Sequence, residues 1–138
     1  MENTEEKVIF ISSEGNISIH ESEDEEFTVR FGGEGRMVMN DHVFIESYWG
    51  DIDVYLPPGH YYGLSFQYVN GDIEVDANNI DVSVLHLLEV QGDIHGDIKY
   101  REIHTDSWKG DHYSNNVNTM KVKKSFHRKD NPNSELRW

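Results

Sequence analysis

One short unit recurs along this chain: a glycine, then aspartate or asparagine, then isoleucine, a polar residue and another β-branched residue. It reads Gly15-Asn16-Ile17-Ser18-Ile19, Gly50-Asp51-Ile52-Asp53-Val54 and Gly71-Asp72-Ile73-Glu74-Val75. It returns as Gly92-Asp93-Ile94-His95 with an echo at Gly96-Asp97-Ile98, and in degenerate form as Gly110-Asp111-His112-Tyr113. Gly50 to Gly71 and Gly71 to Gly92 are each 21 residues, and Gly92 to Gly110 is 18. Such self-similarity is the mark of units that bury an apolar face only by stacking on their neighbours.

Each position of the unit has a physical reading. Glycine supplies a positive-φ corner. The Asx side chain accepts hydrogen bonds from nearby backbone amides and fixes the turn. The Ile-x-Val alternation then directs two branched side chains to one face and a polar one to the other, as in a half-buried strand. Further alternating runs, Val8–Ile11, Phe27–Phe31, Val43–Ile45, Leu64–Phe66 and Val82–Val84, fall between the units. Each period is thus expected to hold about two short strands and two turns. Glycines interrupt every stretch long enough for a 3.6-residue period, and the best helical candidate is a turn around Val84–Glu89.

These features predict an all-β single domain over 1–138: a β-solenoid or β-roll of short strands with ~21-residue repeats. An antiparallel β-sandwich, in which the repeat only reflects hairpin spacing, is the alternative. The repeat core is placed at about 8–118. An acidic N-terminal cap and a basic C-terminal tail at 119–138, with Lys121, Lys123, Lys124, Arg128, Lys129 and Arg137, are expected to close its ends. Residues 135–138 read as one last strand.

The stretch Trp49–Gly59, ending in Leu56-Pro57-Pro58-Gly59, followed by Val69–Val75, resembles a family of bacterial adhesin-like β-solenoid domains, domain of unknown function 4097. It is also similar to the C-terminal β-domains of bacterial envelope-stress regulators. The resemblance covers about residues 8–118. It implies a repeat fold with a Pro-rich turn after a strand, and an adhesin-like role; it implies no catalytic residue.

Composition restricts the partners. Asp plus Glu number 26 against 12 Lys plus Arg, a net charge of −14. Nucleic acid, which needs clustered cations, is excluded, and anionic membrane surfaces are disfavoured. No run approaches the ~20 apolar residues of a membrane span, so no membrane insertion is expected. The acidic start Met1–Glu6 lacks the apolar region of a signal peptide. A complete chain would be expected in the cytoplasm, and one that has lost a leader or anchor at the cell surface. There is no cysteine, which removes disulfides and thiolate chemistry.

No enzyme is expected. The chain has no Gly-x-Ser-x-Gly elbow, and its carboxylates are too many to single out a pair. The loop Gly32-Gly33-Glu34-Gly35 lacks the lysine of a phosphate loop. No cofactor is expected, and no metal: among the 8 histidines, His95, His104 and His112 stand near aspartates and are weak candidates only. Asp51, Asp72, Asp93 and Asp111 are read as turn-capping residues.

Aromatics crowd residues 48–68. Tyr48, Trp49, Tyr61, Tyr62 and Tyr68 are the candidate binding residues, with Tyr61-Tyr62 after the Pro-Pro-Gly turn as the expected exposed pair. The functional expectation is a non-enzymatic interaction or structural module, adhesin-like, whose partner is a protein, a glycan or a second copy of the chain. The alternative is a metal- or ligand-binding sensory domain of the envelope-stress type.

Overall fold

The structure is a computed structural model that describes residues 7–114. The basic tail and the strand expected at its end lie outside these residues. The described chain is all-β. Its strands are β1 Val8–Ser13, β2 Ile17–Glu21, β3 Thr28–Phe31, β4 Glu34–Met39, β5 Val43–Trp49 and β6 Ile52–Leu56. They continue as β7 Gly59–Asn70, β8 Ile73–Asp76, β9 Ile80–Gln91, β10 Ile94–His95, β11 Lys99–Lys109 and β12 His112–Tyr113. Among the described residues no helix is long and apolar enough to cross a membrane.

The strands form two six-stranded sheets, ordered β11-β9-β7-β1-β5-β4 and β12-β10-β8-β2-β6-β3. Each Gly-Asx corner carries the chain from one sheet to the other, so β1/β2, β5/β6, β7/β8, β9/β10 and β11/β12 form five tiers. Neighbouring tiers pair in parallel. Only β3 on β6 and β4 on β5 run antiparallel, at one edge. The sheets are therefore mixed, which departs from the antiparallel alternative. Parallel pairing follows from the repeat: like units enter the corner in the same direction, so like residues meet.

The isoleucines of the repeat do meet. Ile17 is opposite Ile52 on one side and Ile73 on the other, and Ile94 is opposite Ile73. In the other sheet Val43, Ile9, Leu64, Leu85 and Ile103 form one inward row. The two inner faces share a single apolar core. Each of these side chains contributes roughly 1.5–3 kcal/mol on burial. His112 holds the fifth place beside Ile94, and it is buried too.

The tier order differs from the chain order. β1 and β2 lie inside the sheets, between β5/β6 and β7/β8. The edge is taken by β3 and β4, which follow the acidic loop after Glu21. The expected short strands are also only half the pattern, because β7 and β9 each run for 12 residues. The helical candidate Val84–Glu89 falls within β9, where Leu85 and Leu87 alternate into the core.

The corners work differently from the sequence reading. Gly50 does have a left-handed φ of 91°, but Gly15, Gly71 and Gly110 do not. Glycine is required there by close approach. A Cβ on Gly110 would lie 1.9 Å from the carbonyl oxygen of Gly92, and one on Gly71 would lie 2.7 Å from that of Gly15. The Asx side chains reach across tiers rather than into their own turns. Asp51 Oδ1 accepts from the Asn16 amide at 2.9 Å, and Asn16 Oδ1 from the Asp72 amide at 2.8 Å. Asp72 Oδ1 accepts from the Asp93 amide at 2.9 Å, and Asp93 Oδ1 from the Asp111 amide at 3.0 Å.

Asp93→Ala removes the acceptor for the Asp111 amide and is expected to lower stability by about 1–2 kcal/mol in urea unfolding. Asp93→Asn keeps the acceptor, as Asn16 does, and is expected to stay within about 0.5 kcal/mol of the parent.

A second tie is made by Glu21, the last residue of β2. Its carboxylate accepts from Asn79 Nδ2 and from the amides of Asn79 and Asn78, at 3.0–3.1 Å. These bonds, the Asn79 side chain first, hold it below its usual value of 4.5. A lowered folded value means that its contribution is complete above the unfolded value and is lost as pH falls through the folded one. Glu21→Gln should thus melt below the parent at pH 7, and the gap should narrow as pH falls through the range in which the folded carboxylate takes up its proton.

Candidate functional site

The outer face of the first sheet carries the densest grouping of the candidate residues. In β5, Val43, Ile45 and Ser47 turn inward, which leaves Phe44, Glu46 and Tyr48 outward. β1 lies beside it with Phe10 and Ser12 outward, and Phe10 stacks on Phe44 at 4.9 Å between ring centroids. Strand alternation alone would then turn Tyr68 of β7 inward, two residues after buried Phe66. It does not, because the β1–β7 register shifts between Ile11, opposite Phe66, and Ser12, opposite Tyr68. Gln67 is the extra residue of a β-bulge, a device that re-aims side chains. Tyr68 is thereby placed beside Ser12, and Ser12 beside Glu46.

The result is a solvent-open depression of about 210 Å³ whose walls include Tyr48, Tyr68, Glu14 and Glu46, with Ser12 between them. Ser13 and Ser47 lie at its inner side and are engaged with the corners, donating to the carbonyls of Gly15 and Gly50, each at 3.0 Å. Glu46 is held by Arg36 Nε at 3.0 Å and by the Tyr48 hydroxyl at 3.3 Å. Two aromatic rings, two carboxylates and a hydroxyl, set on the sheet and at its corner, can accept hydrogen bonds from a polyhydroxylated ligand and stack against its C–H faces. The carboxylates repel an anionic one.

The other aromatic candidates lie elsewhere. Trp49 is exposed, with its ring against Gly33, where a Cβ would come within 2.4 Å of it. Tyr62 is exposed farther back along β7. Tyr61 corrects the expectation of an exposed pair: successive strand residues face opposite sides, and Tyr61 is 0% exposed. Its ring meets Phe27 edge-on at 6.0 Å and its hydroxyl donates to the Pro57 carbonyl. Burial raises its pKa. It anchors the Pro-Pro-Gly turn rather than a ligand.

The histidine candidates do not converge. His104 sits on the first sheet, paired with Glu102 at 3.0 Å, with its ring edge-on to His86. His112 is buried in the second sheet, where Nε2 donates to the Gly96 carbonyl at 2.6 Å. His95 stacks on Tyr113 at 5.0 Å. Among the described residues the group with ligand-like spacing is instead Asp72, Asp93 and His95, whose donor atoms lie within 4.8 Å of one another. Both aspartates already serve the corner ladder with one oxygen each. The charges of Asp111, Asp93 and Asp72, with a hydrogen bond to Asp111, raise the pKa of the nearby Tyr113 phenol. In the sequence Asp72 and Asp93 stand among the expected turn-capping aspartates; the 21-residue period between them is the signal that pairs them beside His95.

Tyr61→Phe is expected to lower stability by about 1–3 kcal/mol, since it strands the Pro57 carbonyl. Tyr62→Ala should stay within about 0.5 kcal/mol of the parent in the same urea titration. The chain matches no family model and no curated protein.

Proposed function

We propose that the chain is an adhesin-like interaction module, a β-solenoid of stacked coils, that binds a neutral polyhydroxylated ligand such as a glycan chain on its outer face. The observation that carries this reading is the bulge at Gln67, which sets Tyr68 across from Ser12 and alongside Tyr48 and Glu46. A bulge that re-aims an aromatic side chain out of the core is retained where that side chain has a use on the surface. The coil reading is supported by the parallel stacking of Ile52, Ile17, Ile73 and Ile94. Its likeness to the adhesin-like β-solenoid domains points the same way. The net charge of −14 and the two carboxylates favour a neutral ligand over nucleic acid or an acidic polysaccharide.

The test is a panel of neutral oligosaccharides, with affinities of the hits measured by calorimetry. Tyr48→Ala and Tyr68→Ala should each weaken binding about tenfold or more, a difference of about 1.4 kcal/mol. Trp49→Ala, outside the depression, should leave it unchanged. Hits whose affinity ignores both tyrosine substitutions, or a panel without hits, would refute the assignment.

A further inference from the structure

β7 and β9 bring together a second set of groups on the outer face, clear of the depression. His60 lies opposite Asp81 in register, and Ser83 follows two residues later on the same face of β9. His60 Nδ1 is 2.5 Å from Asp81 Oδ1, and Nε2 is 2.8 Å from Ser83 Oγ. A carboxylate only accepts, so Nδ1 carries the proton and donates to it. In the neutral ring Nε2 then keeps its lone pair, and the Ser83 hydroxyl donates to that nitrogen. A hydroxyl held by a base that is itself oriented by a carboxylate is the general arrangement of an activated serine.

The register supplies two neighbours for this hydroxyl. Tyr62 falls between Tyr61, opposite Val82, and Gly63, opposite Val84, and so lies beside Ser83. On the other side, Arg101 falls between Tyr100, opposite Val82, and Glu102, opposite Val84. Both Tyr62 and Arg101 are exposed. A guanidinium one strand away can meet negative charge that develops on a carbonyl oxygen, and the ring offers a flat apolar surface for a substrate group.

We infer that Ser83 is a nucleophile for esters of small carboxylic acids, with His60 as general base and acid, Asp81 as its positioning residue and Arg101 as the oxyanion partner. Ser83 Oγ forms a bond to the ester carbonyl carbon while its proton passes to His60 Nε2. The tetrahedral adduct collapses, the bond to the leaving oxygen breaks, and His60 returns the proton so that an alcohol departs. Water then attacks the acyl-serine, giving its proton to His60, and Ser83 and the free carboxylic acid are released. The open setting suits small or flexible esters and modest rates.

The site is tested on the full chain with a fluorophosphonate probe, read by intact mass and peptide mapping. One adduct per chain is expected, on Ser83, and none in Ser83→Ala. His60→Gln should slow labelling about a hundredfold, the usual scale of general-base assistance. Asp81→Asn should slow it without moving the melting temperature. A folded parent that takes no adduct, an adduct elsewhere, or equal rates in parent and His60→Gln would overturn the inference. Because the chain has no cysteine, Ser83→Cys gives a unique thiol. At pH 6.5 it should react with an aromatic disulfide at least about tenfold faster than Ser83→Cys with His60→Gln, since an unassisted thiol has a pKa near 8.5. Equal rates would again refute the role of His60.

Discussion

Between successive tiers at the glycine corners, the carbonyl of one glycine sits where the next glycine would carry a Cβ. Only a bare backbone permits that approach. It allows the side-chain oxygen of each Asx to reach the amide one tier away, and it sets the register in which Ile52, Ile17, Ile73 and Ile94 align. The core thus depends on the corner: a tier displaced by one residue would turn its isoleucine to solvent and its polar neighbour inward. The ladder has a cost, since Asp72, Asp93 and Asp111 repeat one sign of charge. Asn16 interrupts that run in an interior tier, holding the same hydrogen bond without the charge.

The outer faces are freer, and both proposed sites lie on the outer face of the first sheet. There the outward side chains stand clear of the core, so polar groups from neighbouring tiers can be set side by side at the spacing of the strands. The Gln67 bulge uses this to gather two tyrosines that are 20 residues apart. The His60, Asp81 and Ser83 relay uses it to bring together groups from successive tiers. One sheet face has room for both the proposed recognition patch and the proposed reactive hydroxyl without either disturbing the core.

Much of this was legible from the repeat. Ile17, Ile52, Ile73 and Ile94 are inward where the alternation puts them, and the glycines stand at the corners. The tier order was not legible, because Gly-Asn-Ile and Gly-Asp-Ile offer neighbours the same hydrogen bonds in any order. The long interval from Gly15 to Gly50, which holds β3 and β4, was the one hint. The fate of Tyr61 was readable, since adjacent strand residues cannot share a face. That of Tyr68 was not, because a bulge depends on the strand it pairs with. His60 and Asp81 stand 21 residues apart, one full period, and so could have been paired from spacing alone.

The interior position of β1 and β2 has a consequence for how the chain is made and how it can change. As the polypeptide emerges, its first two strands have no finished neighbour until β5 and β6 arrive, and none on the other side until β7 and β8 do. Assembly of the described tiers therefore cannot follow chain order from one edge to the other, because β1 and β2 pair on both sides with strands that come later in the chain. The same topology restricts descent with modification. Duplicating or deleting one unit is simple at the β11/β12 end, where tiers follow in sequence. Near the start, loss of one unit would open a gap in the middle of both sheets. Within the described residues, a unit is thus more easily gained or lost among β9 to β12 than at β1 and β2, which lie in the middle of both sheets.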